Sequence, residues 1–210
     1  MRSTSTTPRG KVRVTAPLTF GTLRLAPILA EFAKAYPEVS LEVQFTDRMV
    51  SLVDEGFDLA VRVGRPRDST LVARKLIEAG TMTVASPEYL AARGTPEVPQ
   101  DLVHHDCILD TNFRDPHCWP FAGGLEVPVS GRLTYSDASV CLVAAEAGLG
   151  IACLPDFMAA ASLNEGRVVQ VLSDHVDSPS AVYAMTPSGR HPAAKVRVLI
   201  ETLAQGLRRA

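Results

Sequence analysis

Residues Thr15 to Gly64 read TAPLTFGTLRLAPILAEFAKAYPEVSLEVQFTDRMVSLVDEGFDLAVRVG, and this stretch decides the fold. Its pattern is strand end, polar turn, helix, strand, short helix, strand. Leu25, Leu29, Phe32 and Tyr36 recur at helical spacing, which predicts a helix over about Leu23 to Tyr36 with one apolar stripe. Pro27 sits near its start, where the ring conflicts with the carbonyl four residues back, so a kink or a separate first turn is expected. Pro37 ends the helix. Leu41 to Phe45 alternates as a strand, Met49 to Glu55 has the length of two helical turns, and Gly56 suits a left-handed cap. Phe57 to Val63 is a further strand, closed by Gly64. Strand–helix–strand repetition with short connections implies parallel pairing in an α/β sheet. Ligands of such sheets gather beyond the carboxyl ends of the strands. Three polar turns leave those ends: Pro17-Leu18-Thr19, Thr46-Asp47-Arg48 and Gly64-Arg65-Pro66.

Outward from this stretch the same grammar continues. Val12 and Val14 alternate in a first strand, and the Ser/Thr/Pro-rich residues 1–10 read as a flexible lead. Leu71 to Ile77 reads as a charged edge strand, and Thr81 to Ala85 as a buried one. Ser86-Pro87 is a helix start, with serine as N-cap and proline in the first turn. Gln100 to His105 reads as a short helix, and Cys107 to Asp110 as a strand followed by the polar turn Thr111 to Pro116. Strand-like runs follow at Trp119–Phe121, Leu125–Val129 and Arg132–Tyr135. A helix opens at Ser136-Asp137 and is capped by Gly148; Ile151 to Leu154 is a strand and Asp156 to Leu163 a helix. Val168–Leu172 and Ser180–Met185 are the last strands, before a final helix with Val196, Leu199, Ile200 and Leu203 on one face.

The formal net charge of −2 argues against a nucleic-acid surface on this segment, because duplex-binding modules carry a basic stripe. No apolar run reaches the roughly 18 residues of a membrane span. The start MRSTSTTPRG lacks the apolar core of an export signal. Four cysteines without such a signal fit the reducing cytoplasm.

Several motifs together carry a resemblance. FGTLRLAPILAEFAKAYPEVSLEV after a strand ending in Ala-Pro, SLVDEGFDLAVRVG, LVARKL at Leu71–Leu76, ASPEYLAARGTP at Ala85–Pro96 and AGLGIACLPDFM at Ala147–Met158 stand in order. From about Gly10 to the C-terminus the chain resembles the effector-binding domain of LysR-type transcriptional regulators. The resemblance implies an α/β fold of two Rossmann-like subdomains joined by two crossover strands, the type 2 periplasmic-binding-protein-like architecture. Subdomain I is then expected over 11–84 plus 185–210 and subdomain II over 85–184, with crossovers near Thr83–Ser86 and Tyr183–Thr186. The family's winged helix-turn-helix DNA-binding domain is not visible in this sequence. The resemblance further implies a small organic effector held in a cleft between the subdomains and no cofactor. It also implies antiparallel homodimers, with DNA reached only through the absent domain. Leu23, Ile28 and Ala35, with the Met- and Ala-rich helix after Pro155, are the apolar faces expected in that dimer. The alternative is a solute-binding protein of a transport system, which shares the two-lobed architecture.

Thr19, Thr46, Thr111, Asn112, Ser136 and Asp137 fall at carboxyl ends of predicted strands or at helix starts, and with Pro17, Leu18, Phe20, Gly64 and Arg65 they form the expected ligand rim. Their simpler reading is capping, with Thr19 and Ser136 as N-caps and Asp137 favouring the helix dipole. No nucleophile elbow, phosphate loop or dinucleotide fingerprint is present, and Gly148-Leu149-Gly150 follows a helix, the wrong order for a dinucleotide turn; no enzyme is expected. His104, His105 and Cys107 lack the paired partners of a zinc site, so no metal is expected. Cys107 and Cys118 flank a polar loop, and two readings stay open: a redox pair, as in some LysR-type relatives, or small buried hydrophobes. From charge alone, this chain should not hold a DNA duplex specifically at about 150 mM salt. Sequence-selective retention of a duplex in a gel-shift assay would overturn that expectation.

Overall fold

The computed structural model describes residues 7–48, 50–64, 70–176, 180–189 and 191–209. In chain order the strands begin with β1 (Gly10–Ala16), β2 (Val39–Phe45), β3 (Leu59–Val63), β4 (Leu71–Ala79), β5 (Thr81–Ala85) and β6 (Cys107–Asp110). They continue with β7 (Cys118–Phe121), β8 (Leu125–Pro128), β9 (Leu133–Tyr135), β10 (Ile151–Pro155), β11 (Val169–Val171) and β12 (Ser180–Pro187). The α-helices are α1 (Leu18–Phe20), α2 (Ala26–Ala35), α3 (Pro87–Arg93), α4 (Ala138–Glu146), α5 (Ala160–Asn164) and α6 (Ala194–Arg209). The chain divides into two units, one up to Glu78 plus Ala181 onward, the other Ala79–Ser180.

The first unit is a sheet in the order β2-β1-β3-β12-β4. β1 pairs in parallel with β2, from Gly10–Val39 to Ala16–Phe45, and with β3 through Val14–Leu59 and Thr15–Ala60. β12 enters antiparallel to β3. The period-2 alternation of β1 divides the packing. Val12, Val14 and Ala16 are buried on one face, and α6 packs against this strand and against α2. On the other face lies a small cluster of Leu52, Phe57, Ala60 and Met185. Arg13 closes this cluster with its guanidinium 4.9 Å over the Phe57 ring.

The second unit is a sheet in the order β11-β5-β10-β6-β9, with a separate antiparallel pair β7–β8. β6 is parallel to both β9 and β10, whereas β5 runs antiparallel to β10 and β11. Alternation again sorts the core. Cys107, Leu109, Ile151 and Cys153 join Leu102, Trp119, Phe121 and Val127 on one side. Ile108, Ala152 and Leu154 join Cys141, Ala144 and Ala145 of α4 on the other.

Several local expectations are corrected. The first helix begins at Leu18, not Leu23, and passes through a π-helical turn over Gly21–Leu25 before α2. Ala26 donates its N–H to the Gly21 carbonyl there, one residue further back than in an α-helix. Pro27 is the cause, because it has no N–H to continue the α-helical ladder. Residues 52–56 form a turn and not a helix, and Met49 lies outside the described residues. Ser51 Oγ accepts from the Asp54 N–H and Glu55 accepts from the Ser51 N–H. The Glu55 N–H also reaches the Ser51 carbonyl at 3.0 Å, but Gly56 turns left-handed next with φ of +69°, so the segment stops after one turn. The run from Gln100 is a 3₁₀ turn over Pro99–His104, and the helix after Pro155 splits into a 3₁₀ turn, Asp156–Met158, and α5.

Backbone pairing places β5 (Thr81–Ala85) in the second sheet and β12 (Ser180–Pro187) in the first. The chain therefore changes units a few residues earlier than 84/85 and 184/185 at each crossing. The apolar faces assigned to a dimer are also partly spent internally. Ile28 is buried against Gly206 of α6, and Met158 and Ala159 are buried in the second unit, while Leu23 remains 54% exposed. Cys107 binds its N–H to the Ser130 carbonyl, which brings Gly131 onto β6 so closely that a Cβ there would meet the Cys107 carbonyl oxygen. Gly131→Ala should therefore lower stability by about 3 kcal/mol in urea unfolding, since backbone cannot yield as a side chain does. A loss below about 1 kcal/mol would contradict that packing.

Candidate functional site

In the first unit the parallel register aligns the strand exits. Ala16 pairs with Phe45, and Thr46 then donates its N–H to the Ala16 carbonyl at 2.8 Å, so Pro17 and Thr46 leave the sheet side by side. Pro17 occupies the N-cap position of α1 with extended backbone and offers no side-chain cap. Thr19 is thus inside the helix and is not its N-cap. Asp47 takes the capping role from the next strand exit, accepting the Leu18 N–H at 3.2 Å. Gly21 lets this helix start lie on β2, because a Cβ there would stand 2.3 Å from the Phe45 ring. Leu18 is 41% exposed at the rim, whereas Phe20 is buried. Gly64, at the end of β3, has φ of +88° and gives its N–H to Ala181 of β12 at 2.8 Å. Arg65 lies outside the described residues.

Behind this rim lies a group that the sequence reading passed over. Arg62 of β3 donates to Thr15 Oγ1 at 3.1 Å, to its neighbour Val61's carbonyl at 3.2 Å and to the Arg48 carbonyl at 3.5 Å. It therefore ties β3 to β1 and to the loop after β2. Burial lowers the guanidinium's proton affinity, and the Asp47 carboxylate opposes that shift. A charged residue in the otherwise apolar run LAVRV, Leu59–Val63, was the available signal. Arg48 is committed elsewhere, its guanidinium on the Glu55 carboxylate at 2.6 Å.

The second unit repeats the device with β6 and β9. Asp110 pairs with Tyr135, and Thr111 donates its N–H to the Tyr135 carbonyl at 2.8 Å. Asn112 sends its side-chain amide to the Ser136 carbonyl at 2.8 Å, and its N–H goes to the buried Asp110 carboxylate at 2.9 Å. Asp137, not Ser136, is the N-cap of α4, accepting the Ser139 N–H at 2.7 Å. One residue decides this, because Ser136 already spends its carbonyl on Asn112. The structure thus brings together Pro17, Leu18, Thr19 and Thr46 in one unit, and Thr111, Asn112, Ser136 and Asp137 in the other.

A profile of the family described as LysR substrate binding domain matches residues 5–208. The chain belongs to this family. The HTH-type transcriptional regulator PtxR of Pseudomonas aeruginosa is 35% identical over 207 residues, 96% of this chain and 66% of that protein. The regulatory domain of CrgA, a LysR-type transcriptional regulator from Neisseria meningitidis, superposes with a TM-score of 0.83 at 28% identity, covering 95% of this chain and all of that one. The full-length structure of the Vibrio cholerae virulence activator AphB matches with a TM-score of 0.81 at 31% identity, over 94% of this chain and 68% of that one. This LysR substrate binding domain thus spans about two thirds of the curated relatives it matches. Its fold is the type 2 periplasmic-binding-protein-like α/β fold. The family and these relatives are transcriptional regulators and not enzymes, and a transporter's solute-binding protein is not favoured. Among the described residues no helix is long and apolar enough to cross a membrane.

Burial separates the cysteines. Desolvation pushes the Cys107, Cys141 and Cys153 thiols up to about 12, while Cys118 is half-exposed and raised less. A thiol held that high is a poor nucleophile at neutral pH. A disulfide-exchange reagent such as DTNB should titrate one thiol in the native domain and all four of the chain's cysteines after unfolding. Prompt reaction of two or more native thiols would contradict the burial of Cys107.

Proposed function

We propose that this domain senses a small effector in a LysR-type transcriptional regulator, using the two strand-end rims as its ligand contacts. The effector's occupancy controls DNA-binding domains elsewhere in the full cytoplasmic protein, which acts as a homodimer. The observation that carries the reading is the repetition of one device in both units. In each, parallel strands end level and a helix starts beside them, leaving Thr side chains and an Asp carboxylate at the exit, with Asn112 added in the second. Helix starts favour anions. Here Asp47 meets the Leu18 N–H and Asp137 meets the Ser139 N–H, so each start already faces a carboxylate of the chain itself. The effector class that suits such rims is a small organic acid that also carries a hydroxyl or amine. Its donor group suits the aspartate of either rim, and its acid suits the Thr19 and Thr46 side chains of one rim or the Asn112 side chain of the other.

A true effector present at a hundredfold excess over its Kd stabilises the folded domain by about 2.7 kcal/mol. At this chain length that raises the melting midpoint by roughly 5–10 °C. The experiment is a thermal-shift screen of hydroxy and amino acids on wild type, Thr19→Val and Asn112→Ala. A hit should shift wild type and lose most of its effect in both variants. An equal shift in all three proteins sinks the rim assignment.

A further inference from the structure

His105 sits where three pieces of the second unit meet, and the proposed ligand rims use only the far, carboxyl end of one of them, β6. It follows the 3₁₀ turn Pro99–His104, and it is 9% exposed. Its Nδ1 lies 3.3 Å from the hydroxyl of Tyr89 on α3, itself 5% exposed. The same hydroxyl accepts the backbone N–H of Asp106 at 2.9 Å. Asp106 precedes β6, and its carbonyl accepts the Ile151 N–H of β10 at 2.9 Å. One phenol thus joins α3 to the residue from which β6 and, through its carbonyl, β10 start.

The hydrogen-bond roles depend on the imidazole tautomer. With the Asp106 N–H directed at the phenol oxygen, the phenol's own proton is free to point to His105 Nδ1. In the neutral Nε2–H tautomer that nitrogen accepts it. A proton added at Nδ1 faces the phenol proton, and one of the two donors has to turn away inside a buried site.

We infer that the Tyr89–His105–Asp106 junction is an acid-sensitive latch, which holds α3 to the start of β6 while His105 is neutral and releases it when His105 takes up a proton. The surroundings set where this happens. Burial disfavours the imidazolium most, and His104 beside it and Arg93 of α3 act in the same direction. Asp101 of the 3₁₀ turn and Asp106 oppose them. Arg93 and Asp106 also pair with each other at 3.2 Å, which moderates both. Cys107 faces the same phenol, and its thiol stays protonated throughout, pushed up to about 12. The net direction for His105 is downward from the ordinary histidine value of about 6.5. Between the lowered folded value and the ordinary one, the unfolded chain binds more protons than the folded chain. The latch's contribution is therefore complete above about pH 6.5 and is lost as pH falls through the folded value.

The test is an NMR titration of the imidazoles in the whole chain, with amide exchange followed at Asp106. His105 should show the Nε2–H tautomer at pH 7.5 and a midpoint below about 6.5. The Asp106 amide should lose protection through that same midpoint. Tyr89→Phe should raise the midpoint toward 6.5 and speed exchange at Asp106 about tenfold at pH 7.5, the effect of one lost buried hydrogen bond. Should Tyr89→Phe not fold, His105→Gln is the second variant, and its urea stability should change less than that of wild type between pH 7.5 and 5. An Nδ1–H tautomer, a midpoint at or above 6.5, or the same pH slope in His105→Gln and wild type would each overturn the latch.

Discussion

Thr46 donates its N–H to the Ala16 carbonyl across 2.8 Å, the last step of a parallel ladder that begins at Gly10 and Val39. Parallel strands cannot be joined by a tight turn, so the chain has to return along a crossover before it can pair again. In the first unit that return is the helix running from Leu18 through the π-turn into α2. In the second it is the longer path between β6 and β9, which includes the β7–β8 pair. The consequence is the same in both. Strand exits stand together at one end of each sheet, and the polar turns there meet residues distant in sequence. Asp47 reaches the Leu18 N–H and Asn112 reaches the Ser136 carbonyl only because of that alignment.

Charge at these ends is organised by the protein's own groups. Helix starts carry partial positive charge, and each rim supplies a carboxylate to it, Asp47 in one unit and Asp137 in the other. Arg62 lies behind the first rim as a half-buried cation that holds the Thr15 hydroxyl and the Val61 and Arg48 carbonyls. A guanidinium suits this post because its donors spread in a fixed plane and it stays charged under partial burial. Cysteines are treated in the opposite manner. Cys107, Cys141 and Cys153 fill strand and helix positions as small apolar side chains, and desolvation keeps their protons on.

Much of this was legible in the chain itself. Alternation in Val12–Val14 and Leu41–Phe45 and the apolar run from Cys107 specified strands, and Ser86-Pro87 specified a helix start whose serine Oγ accepts the Tyr89 N–H at 3.1 Å. Periodicity in Val196, Leu199, Ile200 and Leu203 specified the buried face of α6. These are local signals, carried by side-chain period and by capping chemistry within four residues. What they left open is also physical. The segment after Met49 has helical length, yet it stops after the one turn closed by the Glu55 N–H on the Ser51 carbonyl, because Gly56 turns left-handed. Capping moved from Thr19 to Asp47, and from Ser136 to Asp137, because the cap depends on backbone direction and on a partner strand.

The sequence alone determined the α/β grammar, the family resemblance and the polar character of the strand exits, since each rests on residues within one turn or one strand of each other. Only the tertiary structure decided which sheet each crossing strand joins. TMTVA and SAVYAMTP are equally good strands in any sheet, and their membership was settled by pairing of Val84 with Ala152 and of Ala184 with Val61. It also decided that Ile28 lies under α6 and that Arg62 holds the first rim. Those outcomes depend on contacts between residues far apart along the chain, and no local period or propensity carries them.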